Sequence, residues 1–429
     1  MTPESLALLH RMWQHPRAPL YNFRCGDGLD AFGVAYLRHY AESLRNQPAR
    51  AGRPVWLDEF VEQCLQAVPH YRNYPRDQPF ESLPTLSRHD LKQPERLIPE
   101  GQPLDALTVV TTSGTSGNRL RLCTHALDVA SPWILMEHAL QNLGVLLQRG
   151  PQGGVALANL TFHRDNLIFA NISHAFEGAG FMKLNLHPSY WRQGADRAAY
   201  LDAFQPQVLA GDPLSLAELL QLDLQSRPRA IFSSGMQLLE GVRSRLQQRF
   251  QCPVLDVYSL TECRYLACSE GHGHRILPND VYVEILDEAG RPVPAGERGI
   301  VTLTGGRNPY MPLLRYRTGD VAALEVGPHG EPRLSTLEGR SAVAFLDIHG
   351  RRFNNIEVTK CLREFPLFQF SLHQRADRSL LFEYLGEAEE EQLRASLEGL
   401  FGSLPLDLQS RSQEEQTGRK WILYSSELT

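Results

Sequence analysis

Apolar residues three and four positions apart in Trp56-Leu57-Asp58-Glu59-Phe60-Val61-Glu62-Gln63-Cys64-Leu65 predict an amphipathic helix, and the pattern of residues 1–70 as a whole is mainly helical. Leu83-Pro84-Thr85-Leu86-Ser87-Arg88-His89-Asp90-Leu91 reads as a turn followed by a helix capped at Ser87. From residue 106 onward the texture changes. Short apolar runs, Ala106 to Val110, Gly154 to Ala158 and Ala230-Ile231-Phe232, alternate with helical stretches such as Leu239 to Phe250. That alternation predicts βαβ layers. After Val281 the run VYVEILD, the turn-rich EAGRPVPAGERG and then IVTLTGG read as β-structure. Beyond Gly339-Arg340 a shorter segment carries its own strands and an acidic helix at 387–400. The expected fold class is α/β. A large N-terminal domain, residues 1–338, would hold mixed, largely parallel sheets flanked by helices, and residues 339–429 a small α+β domain.

Composition narrows the function classes. The chain has 429 residues, 42% hydrophobic and 21% charged, an ordinary globular balance with room for a large core. A net charge of -6 offers no basic footprint, so nucleic acid is not the expected partner. The seven cysteines, spread from Cys25 to Cys361, read as reduced thiols rather than a disulfide framework. The first twenty residues are too polar for a secretory core, and no window approaches a membrane span. The expectation is a soluble, cytoplasmic protein with no membrane partner; a homodimer is compatible with it.

Candidate chemistry begins at TTSGTSGNRL, residues 111–120, directly after the first apolar run. Glycine permits a tight turn and close approach of an anion, while backbone N–H groups and hydroxyls bond phosphate oxygens. The stretch is therefore a candidate phosphate cradle. It is not a Walker loop, because no Gly-Lys-Ser/Thr follows at the required spacing. Three further stretches accompany it: QCPVLDVYSLTE at 251–262, LLRYRTGDVA at 313–322 and LEGRSAVAFLDIHGRRFNNIEV at 337–358.

With these four motifs in this order, the chain resembles the adenylate-forming superfamily of acyl-CoA synthetases, nonribosomal adenylation domains and luciferases, in particular its phenylacetate-CoA ligase branch, over residues 60–425. The resemblance implies a large ATP- and acid-binding domain, 1–338, and a small mobile lid, 339–429. It implies that Thr112, Ser113, Gly114, Thr115, Ser116 and Gly117 hold the β- and γ-phosphates of ATP, with Arg119 and Arg121 as the available cations. Tyr258 would lie against the adenine, beside Ser234, Gly235 and Met236. Thr261 would bond the α-phosphate and Glu262 would hold Mg²⁺, a hard cation that takes oxygen ligands. Asp320 would accept from the ribose hydroxyls and Arg340 would contact the ribose. In the tail QTGRKWILYSSELT the small-domain cation of the adenylation step would be Lys420, with Arg419 as the alternative.

The implied reaction joins a carboxylic acid to AMP, releases pyrophosphate and transfers the acyl group to CoA. The alternative acceptor is an amine, a hydroxyl or a carrier protein, and a rival class is a non-catalytic homologue that binds adenylate or aryl acid. Phe162, His163, His174 and Phe176 fall where the family lines its acyl pocket, and their aromatic character points to an aromatic acid. Behind Glu262, the spacing Cys263-x4-Cys268-x3-His272-x-His274 offers two thiols and two imidazoles as structural zinc ligands.

Overall fold

The protein is described from a computed structural model, which covers residues 1–111, 120–162, 166–339, 343–412 and 423–428. The helices used below are α1 (Pro3–Gln14), α2 (Ala31–Asn46), α3 (Leu57–Ala67), α4 (Ala126–Asn142), α5 (Asp196–Phe204), α6 (Pro213–Leu220) and α7 (Glu240–Phe250). The strands are β1 (Thr108–Thr111), β2 (Arg121–Thr124), β3 (Val155–Thr161), β4 (Phe169–Ser173), β5 (Ala179–Asn185), β6 (Val208–Gly211), β7 (Ala230–Ser234), β8 (Val254–Leu260), β9 (Arg264–Ser269), β10 (His274–Ile276), β11 (Val281–Leu286), β12 (Arg298–Gly305), β13 (Leu313–Val326) and β14 (Pro332–Glu338).

The chain divides into two compact units. One comprises residues 1–26, 147–256 and 342–429, the other residues 27–146 and 257–341, and the chain passes from the first to the second along β8. In the first unit the strands run in the order β7-β6-β3-β5-β4, parallel except for β4 at the edge. Helix α1 covers one face of this sheet. Thr2 caps it by accepting from the Ser5 N–H at 3.2 Å, and Pro3 occupies the first turn, where a missing N–H costs nothing. Its Leu8, Leu9 and Met12 are buried with Ala170, Ile172, Met182 and Leu184 of β4 and β5. Asp212 begins α6 the same way, holding the Ser215 N–H at 2.8 Å directly after β6.

The C-terminal residues of this unit have their own core. Phe345, Phe353, Phe370, Phe382, Leu393, Leu397 and Phe401 pack together with Leu239, while Phe368 and Leu385 join the core of the parallel sheet. The acidic helix expected there runs from Glu390 to Phe401.

The second unit is antiparallel in its strands, in the order β11-β12-β13-β14-β10-β9, with the separate hairpin β1-β2 and helices α2, α3 and α4. The segment after Leu83 differs from its expected helix. It forms only 3-10 turns at Asp90–Lys92 and Pro94–Leu97. Ser87 does not cap it: its N–H and hydroxyl donate to Asp90 Oδ2 at 2.8 and 2.6 Å, and the turn at Asp90–Lys92 has no side-chain cap bond. Pro94 then stops propagation, because a proline pushes the preceding residue out of the helical region and Gln93 sits at φ -116°, ψ 66°. Among the described residues no helix is long and apolar enough to cross a membrane.

Candidate active site

The second unit brings together residues from three of the sequence motifs. Arg315, on β13 and 1% exposed, donates to the carbonyls of Glu81 and Leu83 at 2.6 and 2.7 Å and pairs with Glu284 at 3.1 Å. Two residues along, the Arg317 N–H donates to the Leu86 carbonyl at 2.8 Å, and the Leu86 N–H returns a bond to Arg315 at 3.0 Å. The 83–91 segment is thereby laid along β13. This places Arg88 against the turn that follows β8.

Glu262 lies in that turn and is 3% exposed. Its Oε1 accepts from Arg88 Nη1 at 2.9 Å and from the Tyr316 hydroxyl at 3.0 Å. A carboxylate this deep needs such donors, since burying an unpaired charge is costly. Thr261, beside it, is half-buried. Two residues before the end of β8, the Tyr258 hydroxyl donates to Asp320 Oδ2 at 2.7 Å. Burial, and after it the neighbouring Asp320 charge, push the Tyr258 phenol well above its ordinary pKa, so it remains a donor. The Asp320 N–H donates to Thr318 Oγ1 at 3.1 Å, and Thr318 in turn donates to the Val301 carbonyl at 2.9 Å. Tyr258 and Asp320, 62 positions apart, thus form one hydrogen-bonded pair.

Sequence reasoning missed the clamp behind this turn. Arg264 has a left-handed backbone, φ +63°, strained for any residue but glycine. Its guanidinium donates from Nε to Asp128 Oδ2 at 2.6 Å and from Nη2 to Thr124 Oγ1 at 3.0 Å, while Thr124 donates to the same Asp128 oxygen at 2.7 Å. Thr124 ends β2 and is paired with Thr108 across the hairpin whose strands flank residues 112–119. Asn308 also holds this strand, donating to the Cys123 carbonyl at 2.8 Å, and Arg307 donates to the Cys263 carbonyl at 3.3 Å. The hairpin and the Glu262 turn are therefore anchored to each other by buried polar groups. The available signals were slight: Arg88 and Tyr316 stand inside the motifs quoted above, but nothing local names their partner.

The expected zinc constellation does not assemble. Cys263 and Cys268 are both buried, and zinc takes thiolate ligands. Burial first, then the Glu262 charge, push the Cys263 thiol far up; burial pushes Cys268 up to about 12. His272 is exposed in the turn before β10, and His274 is paired across the sheet with Leu334. Among the described residues no group of three or more His, Cys, Asp or Glu side chains is placed to hold a metal ion.

The remaining candidates belong to the first unit or lie outside the described residues. Ser234 ends β7 in the first unit, followed by Gly235 at φ +84° and the half-buried Met236. Phe162 belongs to the core of the parallel sheet. Phe176 is buried beneath the Arg149 guanidinium, 5.1 Å from its ring centre, and His174 is half-buried in the turn after β4. Thr112, Ser113, Gly114, Thr115, Ser116, Gly117, His163, Arg340, Arg419 and Lys420 fall outside the described residues.

Phenylacetate-coenzyme A ligase of Escherichia coli K12 is 28% identical over 187 residues, 39% of this chain and 42% of that protein, so the match spans less than half of the curated relative. Among solved structures, a 2-hydroxyisobutyryl-CoA ligase in the postadenylation state with 2-HIB-AMP superposes with a TM-score of 0.65 at 17% identity, covering 86% of this chain and 87% of the other. An anthranilate CoA ligase in complex with anthranoyl-AMP gives 0.51 at 17% identity, over 73% and 65%. At these identities the structural likeness speaks for the fold. Residues 57–308, more than half of the sequence, match the AMP-binding enzyme family, and the chain belongs to that family.

Proposed function

We propose that the protein activates a carboxylic acid, read here as aromatic, by joining it to the AMP moiety of ATP with release of pyrophosphate, and then passes the acyl group to CoA. The observation that carries this reading is the convergence in one unit of Tyr258 with Asp320 and of Glu262 with Arg88 and Tyr316, residues contributed by separate motifs. A carboxylate is a poor acyl donor because its leaving group would be oxide, and linkage to phosphate supplies a good one.

In this reading Asp320 accepts from the ribose hydroxyls while Tyr258 holds its second oxygen, fixing the carboxylate before nucleotide arrives. Thr261 donates to the α-phosphate. Glu262 would hold Mg²⁺, for which one carboxylate with substrate phosphates is the usual donor set; its carboxylate is buried and held in place by Arg88 and Tyr316. The ion would neutralise phosphate charge. Arg88, beside Glu262, adds a fixed guanidinium to the same surroundings. Holding acid and α-phosphorus in line and stabilising developing charge are the general requirements for transfer at phosphorus. Residues 112–117 would cradle the leaving phosphates, and residues 339–429, with Lys420 or Arg419, would act as the lid.

The test is acid-dependent pyrophosphate release over a panel of benzoates, phenylacetates, fused-ring and medium-chain aliphatic acids, with CoA then added and thioester sought by mass. Release with at least one acid and a thioester after CoA is the expected result. Release without thioester removes CoA as acceptor. No release with any acid overturns the ligase reading.

A further inference from the structure

In the parallel sheet of the first unit, strand register sets two rows of side chains on the face opposite α1. Lys183 of β5 is registered with Phe169 of β4 and Asn159 of β3, and Phe181 is registered with Asn171 and Leu157. Registered neighbours share a face, and alternate residues along a strand keep to it. The other face, with Ala158, Leu160, Ala170, Ile172, Met182 and Leu184, is the apolar core. One side of the same strands is therefore hydrocarbon, and the other carries an ammonium, two amides and two phenyl rings.

Lys183 is half-buried and forms no hydrogen bond or ion pair among the described residues. Burial holds its ammonium below the usual lysine range, opposed only by the Cys25 thiol group nearby. Phe169 and Phe181 lie with ring centres 5.7 Å apart, and Phe23 meets Phe169 edge-on at 6.0 Å. Asn171 donates to Cys25 Sγ at 4.0 Å, which brings the N-terminal segment over the same rows. A long cation on an inner strand without a carboxylate costs stability, and an aliphatic residue would fill the position at no such cost.

We propose that this face is a binding site for a planar aromatic anion, with Lys183 as its counter-charge, Phe169 and Phe181 against its ring, and the amides of Asn159 and Asn171 as its hydrogen-bond partners. An apolar wall with a few convergent polar groups is the usual make-up of such a site. The acid substrate and a separate small effector would present the same chemistry. The proposal concerns binding and stands apart from whether adenylation occurs.

The experiment is calorimetric titration of the full chain with benzenesulfonate and with the uncharged benzyl alcohol. Wild type should prefer benzenesulfonate by roughly tenfold, the size of one charge-assisted contact. Lys183→Met should erase that preference and Lys183→Arg should keep most of it, with Lys183→Gln replacing the methionine variant if circular dichroism shows it unfolded. Alkylation of Cys25 by iodoacetamide, followed by peptide mass, should be slowed by benzenesulfonate in wild type and not in Lys183→Met. Competition of benzenesulfonate against the acid in pyrophosphate release assigns the ligand to the substrate, and an effect without competition assigns it to an effector. Equal affinity for the two probes in wild type, an unchanged preference in Lys183→Met, or no protection of Cys25 overturns the proposal.

Discussion

The turn after β8 and the face of β3, β5 and β4 opposite α1 both hold charge, but they treat it in opposite ways. Around the turn four arginines, two buried and two half-buried, each have a carboxylate: Arg88 has Glu262, Arg264 has Asp128, Arg307 has Asp280 and Arg315 has Glu284. On the sheet face Lys183 has none among the described residues. The difference teaches where structure ends and recognition begins. Paired ions set a geometry, because moving either partner strands the other. An unpaired ion sets no geometry and leaves its charge for something else to meet.

The largest break in this contrast should come from Glu262→Gln. It keeps the shape and removes the charge that Arg88 faces, and in the ligase reading it removes the Mg²⁺ ligand as well. Pyrophosphate exchange should fall roughly 10²- to 10³-fold, the usual loss for one electrostatic stabiliser, with the fold retained by circular dichroism. Exchange within threefold of wild type would remove Glu262 from the chemistry.

Next in size is Asp128→Ala, which strands Arg264 behind the turn. Breaking a buried pair from one side costs about 3 kcal/mol. Denaturant unfolding should show that loss, and Arg264→Met with Asp128→Leu together should recover part of it. Recovery is the sharper readout, since it separates an uncompensated charge from simple loss of packing.

A smaller effect, on the order of 2 kcal/mol, belongs to His138 on α4. Burial first, then the charges of Arg275 and Arg45, lower its pKa to about 4. Like Lys183, it is a basic group whose charged form burial disfavours. Between pH 6.5 and 4 the unfolded chain binds a proton that the folded chain refuses, so stability falls as pH falls through that window. Above 6.5 this residue adds no pH dependence. His138→Gln should flatten the melting temperature over the same range, and an unaltered slope would exclude it as the source.

Tyr258→Phe should remove the bond to Asp320 while keeping the ring. The expected change is about 1 kcal/mol, read as a roughly fivefold weaker apparent affinity for ATP with little loss of stability. The smallest effect closes the comparison: Lys183→Met should leave stability unchanged or raise it by up to about 1 kcal/mol, because no partner is stranded. A loss comparable to that of Asp128→Ala would make Lys183 part of the framework.

Much of the secondary structure was readable from periodicity. The helices at Leu57–Ala67, Glu240–Phe250 and Glu390–Phe401 and the strands at Val155–Thr161, Ala230–Ser234 and Val281–Leu286 lie where the apolar spacing sets them. The short turns after Ser87 were missed because the serine looked like a cap, whereas its hydroxyl donates to Asp90 and Pro94 stops the helix seven residues on. The zinc expectation failed for a different reason. Spacing along the chain counts potential ligands, whereas the fold buries Cys263 before β9 and Cys268 within it and leaves His272 exposed in a turn.

By itself the sequence determined the alternation of elements and the change to β-structure after Val281, and it named Tyr258, Glu262 and Asp320 as candidates for one chemistry. Those properties are local: they depend on backbone propensity, side-chain spacing and motifs a few residues long. Only the tertiary structure decided that Arg88 and Tyr316 meet Glu262 across 174 and 54 positions, that Arg264 reaches back 136 positions to Asp128, and that Lys183 meets no carboxylate among the described residues. Charge pairing inside a protein is a long-range matter. Whether a buried ion is tolerable depends on what folding carries to within about 3 Å of it, and no window along the chain contains that information.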